Sequence, residues 1–142
     1  MDNEEFLKRY TTHLNENQLR AVQTVDGPVL LLAVPGSGKT TVLVTRLGYM
    51  IYCRKIDPRK ILTLTYTVSA THDMKIRFEK IFGEEYSEAL EFRTINGICY
   101  KMIQQYARMT GRGEDSIFRL ITDEKEGAKI VWMSLTGCSR RT

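Results

Sequence analysis

Residues 29–52 read VLLLAVPGSGKTTVLVTRLGYMIY, and this stretch narrows the possible folds more than any other in the chain. Val29 to Ala33 is an apolar run too short for a helix. It is bounded by Asp26-Gly27-Pro28 before and Pro35-Gly36 behind, so it predicts a buried strand. From Lys39 the period changes. Leu43, Leu47, Met50 and Ile51 share one helical face, predicting a helix of about twelve residues that ends near Tyr52. Between strand and helix stand Pro35, Gly36 and Gly38, which build helices poorly. A chain that turns from strand to helix over such a loop uses the glycines for backbone angles that other residues avoid.

The same alternation continues downstream. Leu14 to Thr24 predicts a short helix with Asn15 as its cap, Gln18 completing a capping box, and Leu14 and Leu19 as the flanking staple. Asp57-Pro58 breaks the chain before a second strand, Ile61 to Tyr66, rich in β-branched and aromatic residues. Met74, Phe78, Ile81 and Phe82 stripe a helix that stops at Gly83. A weak strand follows at Phe92 to Thr94. A third helix carries Cys99, Met102, Ile103 and Tyr106 and stops near Gly111 and Gly113. Strand, helix, strand, helix at this spacing predicts βαβ units in a parallel sheet. The last segment differs: Phe118 to Ile121 leads to Thr122-Asp123, which predicts the cap of a helix reaching about Leu135.

Composition excludes several classes. The 142 residues are 42% hydrophobic and 27% charged, the values of an ordinary globular chain rather than a disordered or collagenous one. With 21 basic and 17 acidic residues the net charge is +4, a mild lean toward polyanions. Cys53, Cys99 and Cys138 match no zinc spacing and suit a reducing compartment. The opening MDNEEF lacks the order of a signal peptide, and Val29 to Val34 is far too short to span a bilayer. These features predict a cytoplasmic protein with no membrane partner.

Ala33, four residues, then Gly38-Lys39-Thr40 fit the phosphate-binding loop pattern, with Ala in place of the first Gly. Average residue usage gives a chance match in a chain of this length on the order of one per cent. The context also agrees, since the motif follows a predicted strand and opens a predicted helix. Gly36 and Gly38 let successive N–H groups turn into one concavity, and the helix start adds its own donors and dipole. Pro35 shapes the loop without donating. Lys39 would reach the β- and γ-phosphates of a nucleoside triphosphate, and the Thr40 hydroxyl would complete the shell of a Mg²⁺ bound with it. The predicted ligand set is Ala33, Val34, Pro35, Gly36, Ser37, Gly38, Lys39, Thr40 and Thr41.

Four segments, LNENQLRAV, AVPGSGKTTVLVTRL, ILTLTYTVSATHDMKIRF and FRTINGICYKMI, together resemble the N-terminal region of UvrD/Rep/PcrA-like superfamily 1 DNA helicases, from about Leu14 to Val131. The resemblance implies an incomplete RecA-like parallel sheet flanked by helices over residues 1–114, with an inserted helical subdomain starting over 115–142. It implies ATP and Mg²⁺ as ligands, single-stranded DNA as partner and 3′-to-5′ translocation. Gln18 stands where the family reads adenine, a role that competes with its capping box. Thr65-Tyr66-Thr67-Val68-Ser69-Ala70 is similar to the strand-contacting motif, with Val68 and Ser69 in place of the usual Asn and Lys. Tyr66 is either a stacking face for a base or ordinary sheet packing. Thr94, in Arg93-Thr94-Ile95-Asn96-Gly97, implies a further DNA phosphate contact, although Ile95 and Asn96 replace the family's aromatic and histidine.

The family's acidic metal-holding pair lies beyond residue 142, so the chain is expected to bind ATP, to hydrolyse it negligibly and to leave a sheet edge open to self-association. Two alternatives use other residues. A self-sufficient NTPase would recruit Asp123, which otherwise fits a helix start with Glu126. A small-molecule kinase would need a lid, for which Arg108 and Arg112 are the nearest cations.

Overall fold

The computed structural model describes residues 1–110, 121 and 123–138, with side chains through residue 133. They divide into two compact units, one from Met1 to Asn96 and one beginning at Gly97. The boundary expected near residue 114 lies outside the described residues, as do the stops at Gly111 and Gly113, Arg112 and Thr122.

The first unit is a mixed α/β assembly. Helix α1, Asn3–Tyr10, starts at Asp2, whose carboxylate accepts the Glu5 N–H at 2.8 Å. The sequence reading had no element here. Helix α2, Glu16–Gln23, carries the predicted capping box: Asn15 accepts the Gln18 N–H and Gln18 accepts the Asn15 N–H, each at 3.0 Å. Helix α3 spans Lys39–Tyr52. A short 3-10 turn, Pro58–Lys60, follows Asp57 and leads into strand β1, Leu62–Thr65. Helix α4, Val68–Phe82, stops at Gly83 as expected, with φ at +83°. Strand β2, Glu91–Thr94, then pairs with β1 in parallel, Leu62 opposite Glu91 and Thr65 opposite Thr94. Strand β1, helix α4 and strand β2 thus form the predicted βαβ unit, in which a helix supplies the crossover that parallel neighbours require.

The core joins Phe6, Val22, Val42, Val44, Leu47, Ile51, Met74 and Phe78 with Phe82 and Leu90. Phe82 is its aromatic hub, within 4.8–6.0 Å of the rings of Phe6, Tyr10, Tyr52 and Phe78. A Cβ built on Gly48 would lie too close to the Phe82 ring, a clash that glycine at that point avoids. Leu43 and Ile81 leave the predicted faces and are exposed. Residues adjacent to Leu43 on α3, Val42 and Val44, take the buried positions instead.

The predicted strand Val29 to Ala33 is corrected. The segment forms no strand, and Leu30 and Leu32 are each 82% exposed. A strand exists through its ladder of hydrogen bonds, and among the described residues the sheet has only β1 and β2. Apolar content made the segment eligible for a sheet; no neighbouring strand accepts it.

In the second unit, α5 spans Ile95–Met109 and α6 spans Glu124–Cys138. Cys99, Met102, Ile103 and Tyr106 form the expected α5 stripe, but all four are exposed. Asp123 caps α6 by accepting the Glu126 N–H at 2.8 Å. That bond gives the Asp123 carboxylate the helix-start role. No helix among the described residues is long and apolar enough to cross a membrane.

Candidate functional site

The loop between Ala33 and Lys39 is shaped by two glycines in the left-handed region, Gly36 and Gly38, both with φ +79°. An L-residue held there costs roughly 1–2 kcal/mol. Gly38 is also the N-cap of α3, and no side chain caps that end. Helix geometry leaves the first-turn N–H groups at Lys39, Thr40 and Thr41 without intrahelical acceptors, so this end offers donors to an anion.

One carbonyl gathers the loop. The Val34 oxygen accepts the Ser37 N–H at 3.2 Å, the Ser37 hydroxyl at 2.7 Å and the Lys39 ammonium at 2.9 Å. Lys39 Nζ also donates to the Ala33 carbonyl at 3.3 Å. Both of these acceptors are main-chain carbonyls, and Lys39 stays exposed, with no carboxylate pairing it among the described residues. Ala33, Val34, Pro35 and Gly36 are exposed, whereas Ser37, Thr40 and Thr41 are half-buried.

Helix α2 meets the loop through Gln18. While its Oε1 serves the capping box, its Nε2 donates to the Ser37 carbonyl at 2.9 Å. Helix α2 is held against α3 by Arg46, whose guanidinium donates to the Ala21 carbonyl. Burial pulls the Arg46 pKa below its ordinary value. Between α2 and the loop lies a concavity of about 310 Å³, bordered by Gln18, Ala33, Val34, Ser37 and Lys39. Asn15 and Asn17 border it too, and the sequence reading had not placed them there. Their only sequence signal was proximity to Gln18 on a helix whose approach to the loop is tertiary.

The chemistry of this loop, main-chain donors at a helix start beside one ammonium group, suits an anion. Ser37 and Lys39 border the concavity, Gly36 and Gly38 flank them in the same loop, and a Cβ at Gly36 would meet nothing within 4 Å. Among the described residues no three or more His, Cys, Asp or Glu side chains cluster as a metal site.

The second group of predicted residues lies at the ends of the two strands. Thr65 and Thr94 are directly paired across the sheet. The Thr65 hydroxyl lies 2.6 Å from that of Thr71 and donates to the Thr67 carbonyl at 3.0 Å. Tyr66 follows immediately and is 89% exposed, so it does not pack on the sheet. Arg93 is paired with Glu91 at 3.1 Å.

A family model for the UvrD/REP helicase N-terminal domain matches residues 14–136. The chain is 33% identical over 119 residues to the ATP-dependent DNA helicase PcrA of Staphylococcus aureus strain Mu50, covering 84% of this chain and 16% of that protein. It is 33% identical over 129 residues to PcrA of Staphylococcus epidermidis, covering 91% of this chain and 18% of the relative. The chain therefore spans less than a fifth of the length of the relatives it matches. With most of its residues matched by the family model, and with the glycine loop, the Gln18 box and the paired threonines in place, the chain belongs to the UvrD/Rep helicase N-terminal domain family.

Proposed function

We propose that this chain is the ATP-binding N-terminal part of an ATP-dependent DNA helicase that moves 3′ to 5′ along single-stranded DNA. The observation that carries the reading is the loop itself, with Gly36 and Gly38 left-handed around Ser37 and an α3 start that no side chain caps. The α- and β-phosphates would lie against the main-chain donors of residues 36–41. Lys39 would exchange its carbonyl acceptors for phosphate oxygens, and Thr40 would hold Mg²⁺. When bound, ATP-Mg²⁺ supplies the phosphoanhydride whose cleavage drives translocation.

Gln18 has capacity for both of its roles. A primary amide offers two N–H donors and two acceptor lone pairs. The capping box and the Ser37 contact use one of each, which leaves one donor and one acceptor for the N7 and N6 edge of adenine. Tyr66 offers an exposed ring for base stacking, and Thr65 with Thr94 offers adjacent hydroxyls for a DNA phosphate. The exposed Leu30 and Leu32, and a sheet of only two strands among the described residues, favour self-association of the isolated 142 residues. ATP turnover by these residues alone is negligible in this reading, since residues 33–41 contain no Asp or Glu to hold the metal and position the attacking water.

The test is titration of a fluorescent ATP analogue with Mg²⁺ against wild type and Lys39→Ala. Loss of a charge-assisted contact predicts binding weaker by roughly tenfold or more. Equal affinities would overturn the nucleotide reading.

A further inference from the structure

We infer that Gln18 is a positioning residue for the glycine loop: its single amide caps α2 and braces the Ser37 carbonyl, setting the loop's curvature before any ligand arrives. The inference rests on the nucleotide reading for its purpose and on geometry alone for the brace.

The Ser37 carbonyl and the Gly38 N–H belong to one peptide unit. That unit is planar and trans, so its C=O and N–H point in opposite directions. Pinning the carbonyl to Gln18 Nε2 at 2.9 Å therefore turns the Gly38 N–H away from α2. Gly38 is the residue at which the chain enters α3, and a Cβ placed on it would lie 3.7 Å from Gln18 Nε2. The glutamine thus reaches a peptide whose rotation would redirect one of the loop's donors. On its other side Ser37 is held by its N–H and hydroxyl on the Val34 carbonyl. The loop is clasped from within by Val34 and from outside by Gln18.

The Gln18 end is itself anchored. Its Oε1 is occupied by the Asn15 N–H at 3.0 Å, which limits rotation of the amide and directs Nε2 toward the loop. A base-reading glutamine and a loop-bracing glutamine make different predictions for a ligand that has no base.

The experiment compares the 142-residue chain with Gln18→Met and Asn15→Ala. Both variants disturb the α2 capping box, but only Gln18→Met removes the bond to Ser37. Amide hydrogen exchange is followed over residues 34–40 in ligand-free protein, and binding of inorganic tripolyphosphate with Mg²⁺ is measured by calorimetry. The expected result is loop exchange faster by roughly three- to tenfold in Gln18→Met, the range of one net hydrogen bond, with tripolyphosphate weakened by a similar factor. Asn15→Ala, which leaves the bond to Ser37 in place, keeps loop exchange near wild type. If Gln18→Met fails to fold, Gln18→Glu keeps the capping acceptor and loses the donor, and its loop exchange decides.

Unchanged loop exchange in Gln18→Met, or equal acceleration in Asn15→Ala, overturns the brace. So does a variant whose ATP affinity falls while tripolyphosphate binding holds, since that glutamine reads only the base. Wild type that ignores tripolyphosphate while the exchange difference persists sinks the nucleotide reading and leaves the brace standing.

Discussion

Two helix starts in this molecule follow similar sequence and end differently. Each comes after an aspartate-proline turn and an apolar segment: Asp26-Gly27-Pro28 and Val29 to Ala33 before α3, Asp57-Pro58 and β1 before α4. At α4 the segment is a paired strand, and the helix caps itself. The Thr67 side chain accepts the Ala70 N–H at 3.1 Å, while its carbonyl accepts the hydroxyls of Thr65 and Thr71, each at 3.0 Å. At α3 the segment is unpaired, the cap is a left-handed glycine, and no side chain among the described residues caps the first turn. A helix start that closes on itself serves the fold. One opened by glycine leaves its donors available, which is what an anion site requires.

The largest perturbation removes the support that both starts share. Phe82 packs α4 against Phe6, Tyr10 and Tyr52, so Phe82→Ala is expected to cost about 3–5 kcal/mol in chemical denaturation. A loss below 1 kcal/mol would mean that the aromatic hub does not join the two helices. Tyr66→Ala tests the outer surface of the α4 start: binding of an oligothymidine strand should weaken by about 1–3 kcal/mol, with folding stability unmoved because the ring is exposed. Full retention of DNA binding would remove Tyr66 from the interface.

Thr67→Ala sharpens the contrast itself. It should lower stability by about 1 kcal/mol and leave ATP-analogue binding unchanged, whereas Lys39→Ala should do the reverse. Parallel effects of the two variants would erase the distinction between a closed and an open start. The smallest effect is at the turn into β1. There the Arg59 side chain, and then its N–H, hold the Asp57 carboxyl below the ordinary carboxylate range. A depressed folded-state value means stabilisation that is present above the unfolded carboxylate pKa and is lost as pH falls through the folded one. Asp57→Asn should therefore lower the thermal midpoint slightly at neutral pH, with the gap to wild type closing in acid.

Much of this was legible from local rules. The Asn15–Gln18 box, the Gly83 stop, the α4 stripe of Met74, Phe78 and Phe82, and the Asp123 cap each depend on residues within a few positions of one another. Helix α1 was missed because Phe6 draws its burial from Tyr49 and Phe82, far along the chain, and eight residues carry little periodicity of their own. Leu43 and Ile81 were misplaced because an apolar stripe records which side chains can be buried and leaves open which neighbours arrive to bury them. The candidate site divides the same way. Gly36, Gly38 and Lys39 could be named from spacing, whereas Asn15 and Asn17 border the concavity only because Arg46 and the Gln18 amide draw α2 against α3 and the loop.

Sequence alone determined the left-handed loop, the helix caps and the β1–α4–β2 order, since glycine angles, capping side chains and apolar periods act over one or two turns of chain. Tertiary structure decided that VLLLA stays unpaired, that Tyr66 faces solvent and that Gln18 grips Ser37. Strand pairing, exposure and a contact across nineteen positions depend on what lies alongside in space, and a linear pattern does not specify its neighbours.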